Sequence, residues 1–184
     1  MSDLRQNDRI VPQAAVDTDA DLLSQGGVRI RVAQAHSRDV AEIGAFFRYL
    51  TPEDLRFRFL GTVKEVSDAQ IAAIVDDANA VTFLARDSAT GALIAVATLA
   101  QQPGSREAEV ALSTRPEWKH RGVSWTLLEH VLSYAQAHGY RSVSSLEAGE
   151  NREAVKLERE MGFVARLSSA EPVELICSKR LGED

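Results

Sequence analysis

The sequence contains a single cysteine, Cys177, among its 184 residues. An intramolecular disulfide is therefore impossible, which excludes the disulfide-stabilised folds of small secreted proteins. No apolar run approaches the roughly 20 residues that a membrane-spanning helix needs. Residues 1–27 also lack the apolar core of a secretory signal. These absences predict a cytoplasmic protein that has no membrane partner.

Metal-ligand patterns are also missing from the sequence. The four histidines and the one cysteine are scattered without the spacing of a metal site, so no metal is predicted. His36, His130 and His138 stand in polar or helix-end positions and are expected at the surface. The formal net charge of −6 argues against a nucleic-acid-binding protein. It leaves room for a cationic substrate, such as an amine or a lysine side chain.

The length of the chain suits one domain. Residues 1–27 are polar and close with two glycines, so we predict a flexible N-terminal arm there and a single domain over residues 28–184. Alternation of apolar residues, bounded by turn signals, predicts a set of strands in that domain. They are residues 28–32, 81–87, 92–100, 107–113, 141–148 and 172–179.

Helical periodicity predicts helices between the first two strands and after strands 107–113 and 141–148. Thr51 and Pro52 mark the start of one early helix, and Ser67 with Gln70 forms a capping box for the next. This order of elements predicts a mixed α/β fold, with an antiparallel meander in the middle and a strand–helix–strand unit at the end.

The segment RPEWKHRGVSWTLL (residues 115–128) leads from a strand into an amphipathic helix. Early helical N–H groups have no intrahelical partners, and the helix dipole adds positive charge there, so an anion can bind. Gly122 allows a ligand to approach the backbone, and Lys119 and Arg121 flank it. The segment suits a pyrophosphate, but a plain strand–helix turn with solvated basic residues explains the pattern about equally well.

The stretch AEVALSTRPEWKHRGVSWTLLEHVLSYAQAHGY resembles the acyl-CoA-binding core of the GNAT acetyltransferases. NREAVKLEREMGF resembles their later helix, which begins here at Asn151 and ends at Gly162-Phe163. Upstream, FFRYLTPEDLRFRFLG is similar to the acetyltransferase domain of bacterial protein lysine acetyltransferases of the Pat type. The resemblance implies a mixed, mostly antiparallel sheet flanked by helices, in which two neighbouring strands splay apart to bind acetyl-CoA.

The resemblance also implies how the coenzyme is held. Its pantetheine arm would pair with the main chain of the strand before the loop, and its pyrophosphate would rest on the N–H groups of the loop. The coenzyme-binding residues implied in this way are Leu112, Ser113, Thr114, Lys119, His120, Arg121, Gly122, Val123, Ser124 and Asn151.

Four residues depart from the family pattern. His120 and Ser124 replace common glycines of the loop, and Trp125 replaces a small residue. Trp125 would either pack beside the loop or fill the phosphate site. Glu158 stands where many relatives carry a tyrosine that protonates the departing thiolate. These departures support an alternative, a non-catalytic GNAT-fold module that binds acyl-CoA or regulates a partner; a weaker one is a protein-interaction domain that uses the acidic arm.

Acetyl transfer to an amine requires a base, because an ammonium has no lone pair with which to attack. Glu109 stands at the general-base position of the Pat-like pattern, and partial burial would make it a better base. Glu107, on the same strand face, is the reserve candidate, and a solvent-facing strand residue is the alternative interpretation of Glu109. We therefore expect transfer from acetyl-CoA to a primary amine, a protein lysine first and a small molecule second, by a monomer or a homodimer.

Overall fold

The computed structural model describes residues 17–60, 65–169 and 173–182. These residues form one sheet of eight strands with helices on both faces. The strands are β1 (Ala20–Leu23), β2 (Arg29–Gln34), β3 (Ala80–Asp87), β4 (Leu93–Gln101), β5 (Glu107–Thr114), β6 (Ser142–Ala148), β7 (Val164–Leu167) and β8 (Glu174–Arg180). The helices are α1 (Val40–Tyr49), α2 (Pro52–Phe59), α3 (Asp68–Val75), α4 (Val123–Ala137) and α5 (Arg152–Glu160). No helix in the described ranges is long and apolar enough to cross a membrane.

The strands lie in the order β1-β2-β3-β4-β5-β6-β8-β7. All neighbouring strands are antiparallel except β5 and β6, which are parallel. Strands β3, β4 and β5 form the predicted meander, and α4 carries the chain from β5 to the parallel strand β6. A parallel neighbour requires such a crossover, because a tight turn can join only antiparallel strands. The predicted mixed, mostly antiparallel sheet is therefore confirmed.

Two hydrophobic cores lie on opposite faces of the sheet. Helices α4 and α5 cover one core, which includes Phe83, Leu99, Val110, Leu127, Val131 and Val143. Helices α1 to α3 cover the other, which includes Ile43, Phe46, Ile71, Leu84 and Val96. The apolar stripe predicted for α4 is the stripe that is buried. The sheet is thus fixed from both sides, and it can hold a site at the point where its strands separate.

The predicted helix starts at α2 and α3 are confirmed. The Thr51 hydroxyl accepts a hydrogen bond of 3.1 Å from the Asp54 N–H, and Pro52 occupies the first turn. The Ser67 hydroxyl likewise accepts from the Gln70 N–H at 3.3 Å, and the Gln70 side chain accepts from the Ser67 N–H at 2.9 Å. These reciprocal bonds satisfy N–H groups that the helices leave without a partner.

The structure differs from the sequence prediction at both edges of the sheet. Residues 1–16 of the predicted arm lie outside the described residues. Within its described part, Ala20–Leu23 form β1, which pairs with β2, so residues 20–23 belong to the sheet and not to an arm. The edge strand β7 was also missed. Both strands have four residues, which is too short for the alternation that marks longer strands.

His130 was predicted at the surface but is buried. Its position on α4 turns it toward β3, where its ring meets the ring of Phe83 edge to face. The Thr18 carbonyl lies 3.2 Å from the His130 Nε2 atom. The prediction was wrong because it took the residues around Thr18 for part of an arm, whereas Thr18 lies against this part of α4.

Candidate active site

Strands β5 and β6 separate in the middle of the sheet. They pair only over Glu107–Glu109 and Ser142–Ser144. Beyond that point β5 continues to Thr114 against β4, and β6 continues to Ala148 against β8. The main chain of residues 110–114 therefore has no strand partner on its β6 side. An extended ligand can pair with such an edge as an added strand would.

The residues predicted to hold the pantetheine arm lie on this open part of β5. Leu112 is half-buried, and Ser113 and Thr114 are buried. The Thr114 hydroxyl lies 2.9 Å from the Ser124 hydroxyl, a bond that ties the end of β5 to the first turn of α4. Since the Thr114 hydroxyl is already engaged and Ser113 is buried, the contribution of these residues to a ligand would come from the main chain.

The loop between β5 and α4 contains two residues in the left-handed conformation. His120 has a φ of 59° and Gly122 a φ of 75°. Gly122 is the N-cap of α4, so no side chain caps the first turn of this helix. The early N–H groups of α4, which start at Val123, are therefore open to an anion, and the helix dipole favours one.

The basic side chains of this loop are mostly engaged elsewhere. The Lys119 ammonium donates a hydrogen bond of 2.6 Å to the carboxylate of Asp54 in α2. The Arg121 guanidinium lies 5.0 Å from the ring centre of Trp118. The His120 side chain is 76% exposed, and its Nε2 atom lies 3.6 Å from a carboxylate oxygen of Glu153 in α5. Any anion at the loop would thus be held by main-chain N–H groups first and by these charges second.

Trp125 packs against the core and does not lie free in the loop. Its side chain is half-buried and packs against the core under α4 and α5. Val123, which starts the helix, is almost fully buried in the same core. The sequence left two positions open for Trp125, either packed beside the loop or filling the phosphate site, and the structure shows the packed position.

Glu109 stands where β5 and β6 part, as the last β5 residue that pairs with β6. Its side chain is exposed, and so is that of Glu107, so the expected partial burial is not found. The Arg58 guanidinium of α2 faces both Glu109 and Glu147. Burial lowers the pKa of Arg58, and the two carboxylates oppose that lowering. Arg58 therefore links the two strands electrostatically across their separation.

A second pair of carboxyl groups is formed by Glu147 and Glu158. From the sequence, no acid–base role was assigned to either residue. Burial and the neighbouring Glu158 raise the pKa of Glu147 to about 8. The Asn151 amide donates a hydrogen bond of 2.7 Å to the Glu147 carboxylate, and the Asn151 Oδ1 atom caps α5 at Ala154. Asn151, predicted at the coenzyme site, thus joins Glu147 to the start of α5.

Glu158 is buried on the inner face of α5, and burial raises its pKa. Ser145 and Cys177, which are paired across β6 and β8, face it and oppose that rise. Within the described ranges its Oε2 atom has no hydrogen-bond partner. The sequence did contain a signal, because Glu158 lies three residues after Val155 and three before Met161, in the apolar stripe of the helix.

The comparisons with known proteins agree with this geometry. Residues 47–163 match the model of the acetyltransferase (GNAT) family. Over 181 residues the chain is 24% identical to Acetyltransferase PA5475 of Pseudomonas aeruginosa, covering 96% of this chain and 97% of that protein.

Solved structures share the fold. The GNAT domain of S. lividans PAT superposes with a TM-score of 0.79 at 22% identity, covering 89% of this chain and 97% of that one. Spermidine N-acetyltransferase of Vibrio cholerae, solved with CoA and spermine, superposes with a TM-score of 0.68 at 18% identity, covering 83% and 95%. The chain belongs to the GNAT acetyltransferase family and is an acyl-CoA-dependent N-acetyltransferase.

Proposed function

We propose that this protein transfers an acetyl group from acetyl-CoA to a primary amine, with a protein lysine as the first acceptor class. The observation that carries the proposal is the separation of β5 from β6 at Glu109, which opens beside the uncapped start of α4. An extended thioester can pair with the open edge of β5 while its pyrophosphate meets the early N–H groups of α4. The coenzyme-binding residues proposed are those predicted from the sequence.

The reaction we propose is direct attack. Glu109 accepts a proton from the acceptor ammonium, through a water or directly, and the free amine forms a bond to the thioester carbonyl carbon. The carbonyl oxygen takes up negative charge, which a main-chain N–H at or near Val110 stabilises. The intermediate collapses as the carbon–sulfur bond breaks, the nitrogen releases its second proton to solvent, and the thiolate takes up a proton from solvent. An exposed carboxylate at the mouth of the site also attracts a cationic acceptor.

The choice of acceptor class is supported by similarity to other acetyltransferases. The Pat-type segment around α1 and α2 favours a protein lysine, and the S. lividans PAT domain shares the fold of this chain. The shared fold of spermidine N-acetyltransferase favours a small polyamine as the second candidate. A screen of lysine-containing peptides against polyamines, with acetyl-CoA as donor, separates the two. The cytoplasmic location and the monomeric or homodimeric state stay predictions from the sequence.

The base is tested by Glu109→Gln, with Glu107→Gln as the matched control. Both residues are exposed and lie on one strand face two positions apart. We expect Glu109→Gln to lower kcat by about 10²- to 10⁴-fold with the affinity for acetyl-CoA unchanged. Glu107→Gln should leave kcat within about twofold of the wild type, since an exposed residue outside the chemistry contributes little. Unchanged turnover in Glu109→Gln would show that this residue is not the base.

A further inference from the structure

The turn between β1 and β2, residues 24–27, lies directly against the loop that precedes α4. Ser24 is buried, and its hydroxyl donates a hydrogen bond of 2.8 Å to the carbonyl of Arg121. The same hydroxyl accepts from the Val28 N–H at 3.0 Å, which closes the turn. One buried side chain thus holds both the turn and the main chain of the loop.

The two backbones approach so closely that neither has room for a side chain at the contact. A Cβ atom added at Gly26 would lie 2.5 Å from the Arg121 carbonyl oxygen. A Cβ atom added at Gly122 would lie 3.1 Å from the Gln25 nitrogen. Gly122 is therefore required for two reasons, its left-handed φ and the turn that abuts it.

This contact fixes the peptide plane that leads into α4. A trans peptide directs its C=O and its N–H to opposite sides. Because Ser24 holds the Arg121 carbonyl toward the turn, the Gly122 N–H points away from the turn. The left-handed conformation of His120 is uncommon for a residue with a side chain, so the loop benefits from support by a neighbouring element.

We propose that the β1–β2 turn is a positioning element of the coenzyme site, which holds the Arg121–Gly122 peptide in the orientation that binds the pyrophosphate. The inference rests on the proposed function, since it assigns that loop to the pyrophosphate. Ser24 and Gly26 touch neither the thioester nor Glu109 in this arrangement, so they act through the loop. Their effect should fall on the nucleotide half of acetyl-CoA and spare the acetyl-pantetheine half.

The test compares two variants with a control in the same turn. Ser24→Ala removes the hydrogen bond to Arg121, and Gly26→Ala forces a methyl group against the Arg121 carbonyl. Gly27→Ala is the control, because Gly27 has a left-handed φ of 81° but nothing within 4 Å of an added Cβ. The control therefore strains the turn without pushing on the loop.

Calorimetric titrations use three probes: acetyl-CoA, its phosphoadenosine diphosphate fragment, and S-acetylpantetheine, which lacks the pyrophosphate. We expect Ser24→Ala to weaken binding of acetyl-CoA and of the nucleotide fragment by about two- to tenfold, the range for one hydrogen bond. Gly26→Ala should weaken both more. Binding of S-acetylpantetheine should stay at the wild-type value in both variants, and Gly27→Ala should bind all three probes as the wild type does.

Two results would overturn the inference. Equal weakening of the nucleotide and pantetheine probes would mean that the turn only stabilises the fold, and unchanged binding of acetyl-CoA would mean that it has no influence on the loop. The proposed function fails separately, in the wild type itself. If the wild-type chain binds acetyl-CoA no more tightly than S-acetylpantetheine, the loop does not hold the pyrophosphate. The assignment of the loop to the coenzyme is then refuted by the wild type alone, without any variant.

Discussion

The side-chain amide of Asn151 donates a hydrogen bond of 2.7 Å to the Glu147 carboxylate where α5 begins beside β6. Partial burial near Glu158 raises the pKa of Glu147 to about 8, and the amide opposes that rise by favouring the ionised form. A pKa in this range predicts that Glu147 keeps its proton at neutral pH. That property can be tested through stability before any acceptor is known.

The first prediction concerns the pH dependence of stability. The pKa of Glu147 rises from its ordinary 4.5 to about 8 on folding, so the native state keeps a proton that the unfolded state releases. The stabilisation from that proton is fully present below about pH 4.5 and is lost as pH rises toward about 8. Glu147→Gln should flatten this decline, as measured by urea unfolding between about pH 5 and 8. The exposed neighbour Glu150 offers the control, and Glu150→Gln should keep the wild-type slope.

A second prediction separates the two roles of Asn151. Asn151→Asp keeps an oxygen that can cap α5 but replaces the donor to Glu147 with a negative charge, so the pKa of Glu147 should rise further. The decline in stability should then extend to higher pH than in the wild type. Asn151→Ala removes the cap as well and should cost about 1 kcal/mol more of unfolding free energy at acidic pH. Equal pH profiles for Asn151→Asp and the wild type would contradict the donor role.

The parts of the fold that sequence reasoning found are those with local signals. The apolar stripe of α4 repeats every three or four residues, and the capping boxes at Thr51 and Ser67 span only four residues each. The separation of β5 from β6 was expected only from the resemblance to the family, since the pairing partner of a parallel strand leaves no local mark. Strand β1 was missed because its four residues carry little alternation.

The site was predicted less completely than the fold, for a related reason. Glu109 could be proposed because it lies in a strand with a family pattern. Glu147 and Arg58 were not singled out, because their importance comes from a contact between α2 and β6, which are far apart in sequence. The engagement of Lys119 by Asp54 is likewise a contact between distant elements. Local sequence patterns identify which face of a helix or strand is buried. They do not identify the charged residue of a distant element that contacts it.

The third prediction concerns Lys119. Because its ammonium already bonds the Asp54 carboxylate at 2.6 Å, it is poorly placed to add charge to a phosphate. Lys119→Gln should change the affinity for acetyl-CoA by less than about threefold, well below the loss expected for a phosphate-binding lysine. It should also lower the unfolding free energy by about 1 kcal/mol, since it leaves a mostly buried Asp54 without its cation. A much larger loss of coenzyme affinity at unchanged stability would mean that Lys119 leaves Asp54 to bind the phosphate.

The fourth prediction concerns Glu158, whose Oε2 atom lacks a hydrogen-bond partner in the described ranges. A buried polar atom without a partner costs free energy, and an apolar side chain of similar volume avoids that cost. Glu158→Met should therefore raise the unfolding free energy by about 1–2 kcal/mol, and the gain should grow as pH rises, because ionisation of the buried carboxyl adds to the cost. Glu158→Gln, which keeps a polar group in the same place, is the matched comparison and should gain less. A loss of stability in Glu158→Met would indicate that a bound water, or Ser145 and Cys177, already satisfies this carboxyl.

The last prediction concerns Arg58, whose charge faces both Glu109 and Glu147. A guanidinium favours the ionised form of a nearby carboxyl, so it holds the pKa of Glu147 below the value that burial alone would set. Arg58→Met removes this charge but keeps a long apolar side chain. The pKa of Glu147 should then rise above about 8, and the decline of stability with pH should continue beyond the pH at which it ends in the wild type.

Arg56→Met provides the control for Arg58→Met, because Arg56 lies on the same helix and pairs with the exposed Glu150 instead. It should leave the pH profile of urea unfolding unchanged. If Arg58→Met also left that profile unchanged, the guanidinium would not reach Glu147, and the electrostatic link across the separated strands would be refuted. If only Arg58→Met shifts the pH profile of unfolding, then the Arg58 guanidinium of α2 influences whether Glu147 of β6 is protonated at neutral pH.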